Sequence, residues 1–397
     1  MSRVLCINPG STSTKIAVFD DEAEVCAVTV RHPAEELAAF GRVAQQASFR
    51  RDLILDALAQ AGIGLDTLDA VVGRGGLIRP VAGGTYLVDA DLLDELRHPT
   101  GEHASNLGGI LAVELAAAAH AAPRPNGPVP EPVEGAHGAS TSSASGEITS
   151  TGRDGGQVQA FIVDPVVVDE FEPLARYSGH PEIERRSIFH ALNQKAVARH
   201  DASDKGRRYE DLNLIVAHLG GGISVGAHRR GRVIDVNNAL DGDGPFAPER
   251  AGGLPTASWA KLVLSGRYTP AETRRLLAGR GGLASLLGTS DAREADARAA
   301  AGDEQARLAL AAMAYQVAKE IGSAAAVLAG DVDAIVLTGG LAHDHAFVAA
   351  ITARVSFIAD VVTYPGEDEM PALRDGALRV LRGIEPAKLF ADEVLLR

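Results

Sequence analysis

Two stretches of this chain carry the same pattern of apolar and small residues. Near the N-terminus it reads Val4-Leu-Cys-Ile-Asn-Pro-Gly-Ser-Thr-Ser-Thr-Lys-Ile-Ala-Val-Phe19, and past the middle Leu214-Ile-Val-Ala-His-Leu-Gly-Gly-Gly-Ile-Ser-Val-Gly-Ala-His228. Each predicts an apolar strand, a tight turn of Gly, Ser or Thr, and a second strand, with Gly10 and Gly220 opening the turns. Between and beyond them, helical apolar spacing predicts helices over 36–47, 50–61, 106–119, 186–200, 308–328 and 370–381. Short apolar runs predict strands at 70–72, 85–88, 160–163, 212–216, 232–236, 334–337 and a stub at 357–359. Strands and helices alternate, so the class is α/β.

The repeated hairpin predicts two similar domains. The first covers 1–185 plus a returning C-terminal helix at about 376–397. The second covers 186–375. The stretch 123–157 is foreign to this rhythm. It holds five prolines before Glu134, then Ser/Thr/Gly runs, and almost no large apolar residue. Such a composition cannot bury enough surface to order itself, and predicts a disordered insert.

Composition narrows the chemistry. The chain has 397 residues, 46% of them hydrophobic, enough for large cores. A net charge of −14 argues against nucleic acid or an anionic membrane as the main partner. Cys6 and Cys26 have neither metal-ligand spacing nor the count of a disulfide framework. The longest apolar stretch, 110–122, is broken by Glu114 and His120 and is too short to span a bilayer. No signal-peptide pattern precedes Val4. The expectation is a cytoplasmic enzyme.

Neither the P-loop pattern nor a Rossmann Gly-x-Gly-x-x-Gly after a strand is present. Three Gly-rich turns follow strands instead: 8–15, 218–224 and 338–342. One alone reads as a hairpin that needs Gly for geometry. Three, two of them duplicated, predict backbone N–H groups set to cradle a phosphate chain. With no Cys/His cluster, any metal is a hard cation on carboxylates and phosphates, which suits Mg²⁺. Arg74 lies between glycines at a strand end, where its guanidinium can reach into a cleft, with a surface turn arginine as the alternative. His190 reads alone as a core or surface histidine, and the acidic triplet at 367–369 as a solvated loop.

The three turns in this order resemble the phosphate-1, phosphate-2 and adenosine motifs of the actin, Hsp70 and sugar-kinase superfamily. That implies two similar actin/ribonuclease H-like βββαβαβα domains with an interdomain nucleotide cleft. Asn8-Pro-Gly-Ser-Thr-Ser-Thr-Lys15, Gly73-Arg-Gly-Gly76, Ser187-Ile-Phe-His-Ala191 and His218-Leu-Gly-Gly-Gly222 resemble the acetokinase family, which includes acetate and butyrate kinases. Val71-Val-Gly-Arg-Gly-Gly-Leu77, Gly101-Glu-His-Ala-Ser-Asn-Leu-Gly108, Phe161-Ile-Val-Asp-Pro-Val-Val-Val-Asp169, Asp241-Gly-Asp-Gly-Pro-Phe246 and Tyr364-Pro-Gly-Glu-Asp-Glu-Met370 are similar to the butyrate kinases in particular. The resemblance spans the chain except 123–157.

It implies reversible phosphoryl transfer from ATP to a short-chain carboxylate, butyrate first, with acetate, propionate and isobutyrate as alternatives. An actin- or chaperone-like ATPase switch is a distant alternative. Positioning and cationic stabilisation would supply most of the catalysis. By resemblance, Arg74 and Arg250 bind the substrate and the transferring phosphoryl group, and guanidinium suits such bidentate contact better than ammonium. His190 becomes a donor to that group, and His103 lies near the acyl substrate. Asn8, Ser11, Ser13 and Lys15 contact phosphate and metal-bound water. Gly220, Gly221 and Gly222, with His218, hold the β- and γ-phosphates. Asp291, Arg293, Gly339, Gly340, Leu341 and Ala342 form the adenosine side, although Ser290 reads equally as the cap of a helix that has Asp291 in its first turn. Asp164 and Glu367, with Asn8, are the metal-associated residues. The implied cofactors are Mg²⁺ and ATP/ADP as co-substrate, and the implied assembly is a homo-oligomer, a dimer or higher.

Overall fold

A computed structural model describes residues 1–121 and 157–394. The expected insert at 123–157 lies outside the described residues apart from Gln157, as do the last three residues of the expected C-terminal helix. The chain divides into two compact units.

The first unit comprises Met1–Gly75, Thr85–Val163 and Leu373–Phe390. Its sheet contains β1 (Arg3–Pro9), β2 (Ser13–Asp20), β3 (Ala23–Arg31), β4 (Ala70–Arg74), β5 (Thr85–Leu87) and β6 (Gln159–Val163), in the order β3-β2-β1-β4-β6-β5. The first three strands are antiparallel, β4 lies parallel to β1, and β6 parallel to β4. Val4–Ile7 of β1 and Ala70–Val72 of β4 are apolar and buried, as in strands covered on both faces. The helix Leu107–Ala121 packs on β4 and β6 at glycines. A Cβ on Gly108 would fall 2.1 Å from the Arg74 carbonyl oxygen, so no larger residue fits there. The closing segment of the unit is tied in where Thr85 Oγ1 donates to the Gly376 carbonyl at 3.0 Å.

The second unit comprises Gly76–Gly84, Asp164–Ala372 and Ala391–Arg397. A ribbon of β7 (Tyr177–His180) and β8 (Ile183–Glu184) precedes its main sheet. That sheet contains β9 (Asn213–Leu219), β10 (Ile223–Arg229), β11 (Arg232–Val236), β12 (Ala334–Gly339) and β13 (Val361–Pro365), ordered β11-β10-β9-β12-β13. Three antiparallel strands are again followed by two parallel ones. The core joins Ile215, Leu219, Ile223 and Leu337 to Met313, Val317 and Ile321 of the long helix Glu304–Val327. The expected class, two α/β units with mixed sheets of similar plan, is what the structure has.

Several local expectations are corrected. The helix expected over 36–47 is one turn, Ala34–Leu37, then a 3₁₀ segment, Val43–Gln46, and the continuous helix is Ala47–Gln60. Gly41 interrupts the pattern. The helix expected from 186 starts at Ala191. Before it, Phe189 N–H donates to Val166 and the Ile188 carbonyl accepts from Ala239, which pins the chain outside helical geometry. The stub at 357–359 is a turn with Phe357 exposed, and the strand is Val361–Pro365. β3 and the short helices from Thr256 to Ala300 are not among the expected elements, although Thr269 and Glu272 form a capping box in front of Pro270–Leu277. Residues 164–185 lie in the second unit, on the other side of the boundary expected at 185. Among the described residues no helix is long and apolar enough to cross a membrane.

Candidate active site

In the first unit the β1–β2 register sets Asn8 opposite Lys15. The turn closes with Gly10 N–H donating to the Ser13 carbonyl at 2.7 Å. Asn8 is buried, while Ser11 and Lys15 are exposed and Ser13 half-buried, so polar side chains crown a rigid turn. Behind the turn lies Arg50, 1% exposed, which donates to the carbonyls of Gly10, Ser11 and Ser13 and to Thr14 Oγ1. Arg74 ends β4. His103 caps the 3₁₀ turn Ala104–Asn106, its Nδ1 2.8 Å from Ser105 Oγ. Burial and then the neighbouring Arg74 charge lower the His103 pKa.

In the second unit the Gly220–Gly222 turn lies close to His190, His218 and Arg250. A Cβ on Gly222 would lie 3.7 Å from His190 Cε1 and 3.9 Å from Arg250 Cγ. The backbone of the turn is therefore one side-chain atom away from contact with both residues, and an added Cβ would also press on the Ala239 carbonyl oxygen at 3.2 Å. Glu249 N–H donates to the Gly221 carbonyl at 3.1 Å, which docks the Arg250 loop on the turn. His190 and His218 stack with ring centroids 3.8 Å apart. His218 Nδ1 lies 2.7 Å from Asn193 Oδ1, and Asn193 Nδ2 donates to the Glu367 carbonyl at 2.8 Å. The Glu367 carboxylate is 3.9 Å from His218 Nε2. Arg250 Nε is buried with no hydrogen-bond partner among the described residues, and its Nη1 has only long contacts to Glu249, at 3.4 and 3.5 Å.

Asp164 is 2% exposed and holds a left-handed backbone, φ 36°, rare for a residue with a side chain. Its Oδ1 accepts the Gly84 N–H at 2.7 Å and its Oδ2 lies 3.4 Å from Arg199 Nη1. Gly339, φ 91°, meets the end of β9, where a Cβ would fall 2.4 Å from the Leu219 carbonyl oxygen. Gly340, Leu341 and Ala342 follow as a 3₁₀ turn. Asp291 is itself the cap of the helix Ala292–Ala300, accepting from Arg293 N–H, and its carboxylate pairs with the exposed Arg293 side chain.

Among the described residues no cluster of three or more His, Cys, Asp or Glu forms a metal cage. Mg²⁺ needs no such cage, because it keeps several waters and binds through one or two carboxylates plus substrate phosphates. Half-exposed Glu367 is suited to such a role, and Asp164 to one exerted through water, since both its oxygens already have partners.

Residues 176–359 match the acetokinase family. The whole fold is similar to solved structures. Acetate kinase from Porphyromonas gingivalis aligns at a TM-score of 0.72 with 18% identity, over 95% of this chain and 99% of that one. Propionate kinase from Francisella tularensis aligns at 0.67 and 18%, over 94% and 99%. Acetate kinase from Entamoeba histolytica aligns at 0.69 and 16%, over 95% and 99%. The matched span holds His190, the Gly220–Gly222 turn, Arg250 and the Gly339 turn.

Sequence reasoning missed the supporting residues. Arg50 falls at the spacing of Ile54 and Leu58, all three on the buried face of one helix. A charge on an apolar stripe is the signal that it has a structural duty. Asn193, Gln194 and Lys195 are likewise buried in the helix Ala191–Asp204, but no periodicity marks them, because that helix is buried on much of its circumference.

Proposed function

We propose that this chain is an ATP-dependent kinase of short-chain carboxylic acids, with butyrate as the preferred acceptor. One observation carries the reading: in the span that matches the acetokinase family, Arg250, with a buried and unpartnered Nε, lies against the same Gly222 backbone as His190. A guanidinium with a buried Nε that has no acceptor, and an Nη1 with only long contacts to Glu249, is suited to an anion supplied from outside the chain.

In the reaction a carboxylate oxygen of the acid attacks the γ-phosphorus of ATP. Its lone pair forms the new O–P bond as the bond to the bridging oxygen breaks, and that electron pair leaves with ADP. No proton is consumed, so the residues stabilise charge rather than shuttle protons. Arg250 and Arg74 bind oxygens of the phosphoryl group in flight, and Arg74, with His103, the acid. His190 donates to the same phosphoryl oxygens. His218, Gly220, Gly221 and Gly222 hold the β- and γ-phosphates, while Asn8, Ser11, Ser13 and Lys15 offer donors to phosphate. Gly339, Gly340, Leu341 and Ala342, with Asp291 and Arg293, flank the adenosine. Glu367, Asp164 and Asn8 would hold Mg²⁺ or its water, and the ion would supply charge neutralisation for the phosphates.

Acetate or propionate is the second acceptor class, favoured by the likeness of the fold to acetate and propionate kinases. Incubation with ATP, Mg²⁺, hydroxylamine and a series of acids tests the reading. Acyl hydroxamate supports a carboxylate kinase, and the best acid names the acceptor. Phosphate release without hydroxamate from any acid would overturn it.

A further inference from the structure

A chain of buried side chains runs from the core of the second unit to the ring of His190. Tyr209 Oη lies 2.7 Å from His228 Nδ1, and His228 Nε2 lies 2.9 Å from Gln194 Oε1. Gln194 Nε2 donates to the Ser224 carbonyl at 3.0 Å and to Ser224 Oγ at 2.8 Å. Ser224 Oγ lies 2.9 Å from His190 Nδ1. Gln194, Ser224 and His228 are each fully buried.

The Ser224 carbonyl fixes every proton in this chain. It can only accept, so the nitrogen of the Gln194 amide must face it. The amide oxygen then faces His228, whose Nε2 must carry the proton, and Tyr209 donates to the bare Nδ1. Burial, aided by the charges of Lys195 and Arg199, holds the His228 pKa well below its usual value, in keeping with a neutral ring. On the other side, Ser224 Oγ accepts from Gln194 and needs an acceptor for its own hydrogen. Among the described residues His190 Nδ1 is the one within reach. Were Nδ1 protonated, the Ser224 hydroxyl hydrogen would be left buried and unsatisfied, which is unfavourable.

We infer that Ser224, Gln194, His228 and Tyr209 form a positioning relay that holds His190 as the Nε2–H tautomer, with Nδ1 as acceptor. Resting on the reading of His190 as a phosphoryl donor, the relay fixes which nitrogen offers the hydrogen and resists formation of an imidazolium. The stacked His218, anchored by Asn193, fixes the plane of the ring.

The test is nitrogen-detected NMR of the full-length protein labelled with ¹⁵N-histidine, with His190 assigned by its loss in His190→Asn. The wild type should show a pyrrole-type Nε2 and a pyridine-type Nδ1 for His190. Gln194→Glu, nearly isosteric, replaces the amide donor by an acceptor. The Ser224 hydroxyl should then turn toward residue 194, and His190 should move to the Nδ1–H form. Ser224→Ala should give a mixture, and Ser224→Thr, which keeps the hydroxyl, should restore the wild-type tautomer. A wild-type Nδ1–H ring, or a tautomer unmoved in both Gln194→Glu and Ser224→Ala, overturns the relay. In the hydroxamate assay Gln194→Glu should lower kcat about 10- to 100-fold with the KM values for ATP and acid little changed. A switched tautomer with unchanged kcat would leave the relay standing and remove His190 from the phosphoryl-donor role.

Discussion

The guanidinium of Arg50 grips the first Gly/Ser turn from behind, with Nη1 donating to the Gly10 carbonyl at 2.8 Å. Its remaining contacts, to the carbonyls of Ser11 and Ser13, Thr14 Oγ1 and Gln46 Oε1, are all to neutral oxygens. Burial lowers its pKa only to about 10, so it stays cationic at neutral pH. A positive charge without a carboxylate partner among the described residues thus sits beneath the turn proposed to receive phosphate. Arg50→Met should leave several buried carbonyls without a donor and cost about 3 kcal/mol, read by urea unfolding. The KM for ATP should rise with it, and an unchanged KM would confine Arg50 to a structural role.

Arg74→Ala and Arg250→Ala should each lower kcat about 10³-fold, on the order of 4 kcal/mol of transition-state stabilisation. Arg250→Lys should not restore it, because ammonium lacks the planar fork. Thermal unfolding should change little for Arg250→Ala, since the side chain has only long contacts to Glu249. Near-normal turnover in either alanine variant would remove that residue from the site.

His32 makes the first unit acid-sensitive. Its ring packs on Phe49 and its Nε2 lies 2.8 Å from Thr14 Oγ1. Burial first, and the Arg50 charge second, lower its pKa from 6.5 to about 4. A depressed histidine pKa means that the unfolded chain binds the proton more tightly. The contribution to stability is therefore complete above about pH 6.5 and is lost as the pH falls toward 4. Urea unfolding at pH 7 and pH 5 should show a larger loss for the wild type than for His32→Asn. Equal losses would contradict this.

Asp164→Asn isolates the charge of that side chain, because asparagine tolerates the same left-handed backbone. The concentration of Mg²⁺ giving half-maximal rate should rise about tenfold or more, with a smaller change in ATP affinity. A rate with unaltered Mg²⁺ dependence would leave Asp164 as a backbone anchor for Gly84 and a partner of Arg199.

Chain length of the acid tests the acceptor. Each buried methylene is worth about 0.8 kcal/mol, so butyrate should exceed acetate in kcat/KM by roughly tenfold. Acetate, propionate, butyrate and isobutyrate compared side by side decide it. If acetate is best, the butyrate assignment fails while the kinase reading survives.

The sequence by itself determined the local plan. The repeated apolar-strand and glycine-turn pattern made the two hairpins legible, because strand burial and turn geometry are written in neighbouring residues. The same holds for Ala334–Gly339 and for the Ala-rich helices Leu107–Ala121 and Glu304–Val327. Only the tertiary structure decided what stands behind the turns. The grip of Arg50 on Gly10 spans 40 residues and the contact of Ser224 with His190 spans 34, so no local period records either. His190 itself looked helical in sequence and became a cap, because contacts from Val166 and Ala239 pin the residues before it. The order of protons along Tyr209, His228, Gln194 and Ser224 follows from one backbone carbonyl that can only accept, a constraint that exists only once the chain has folded.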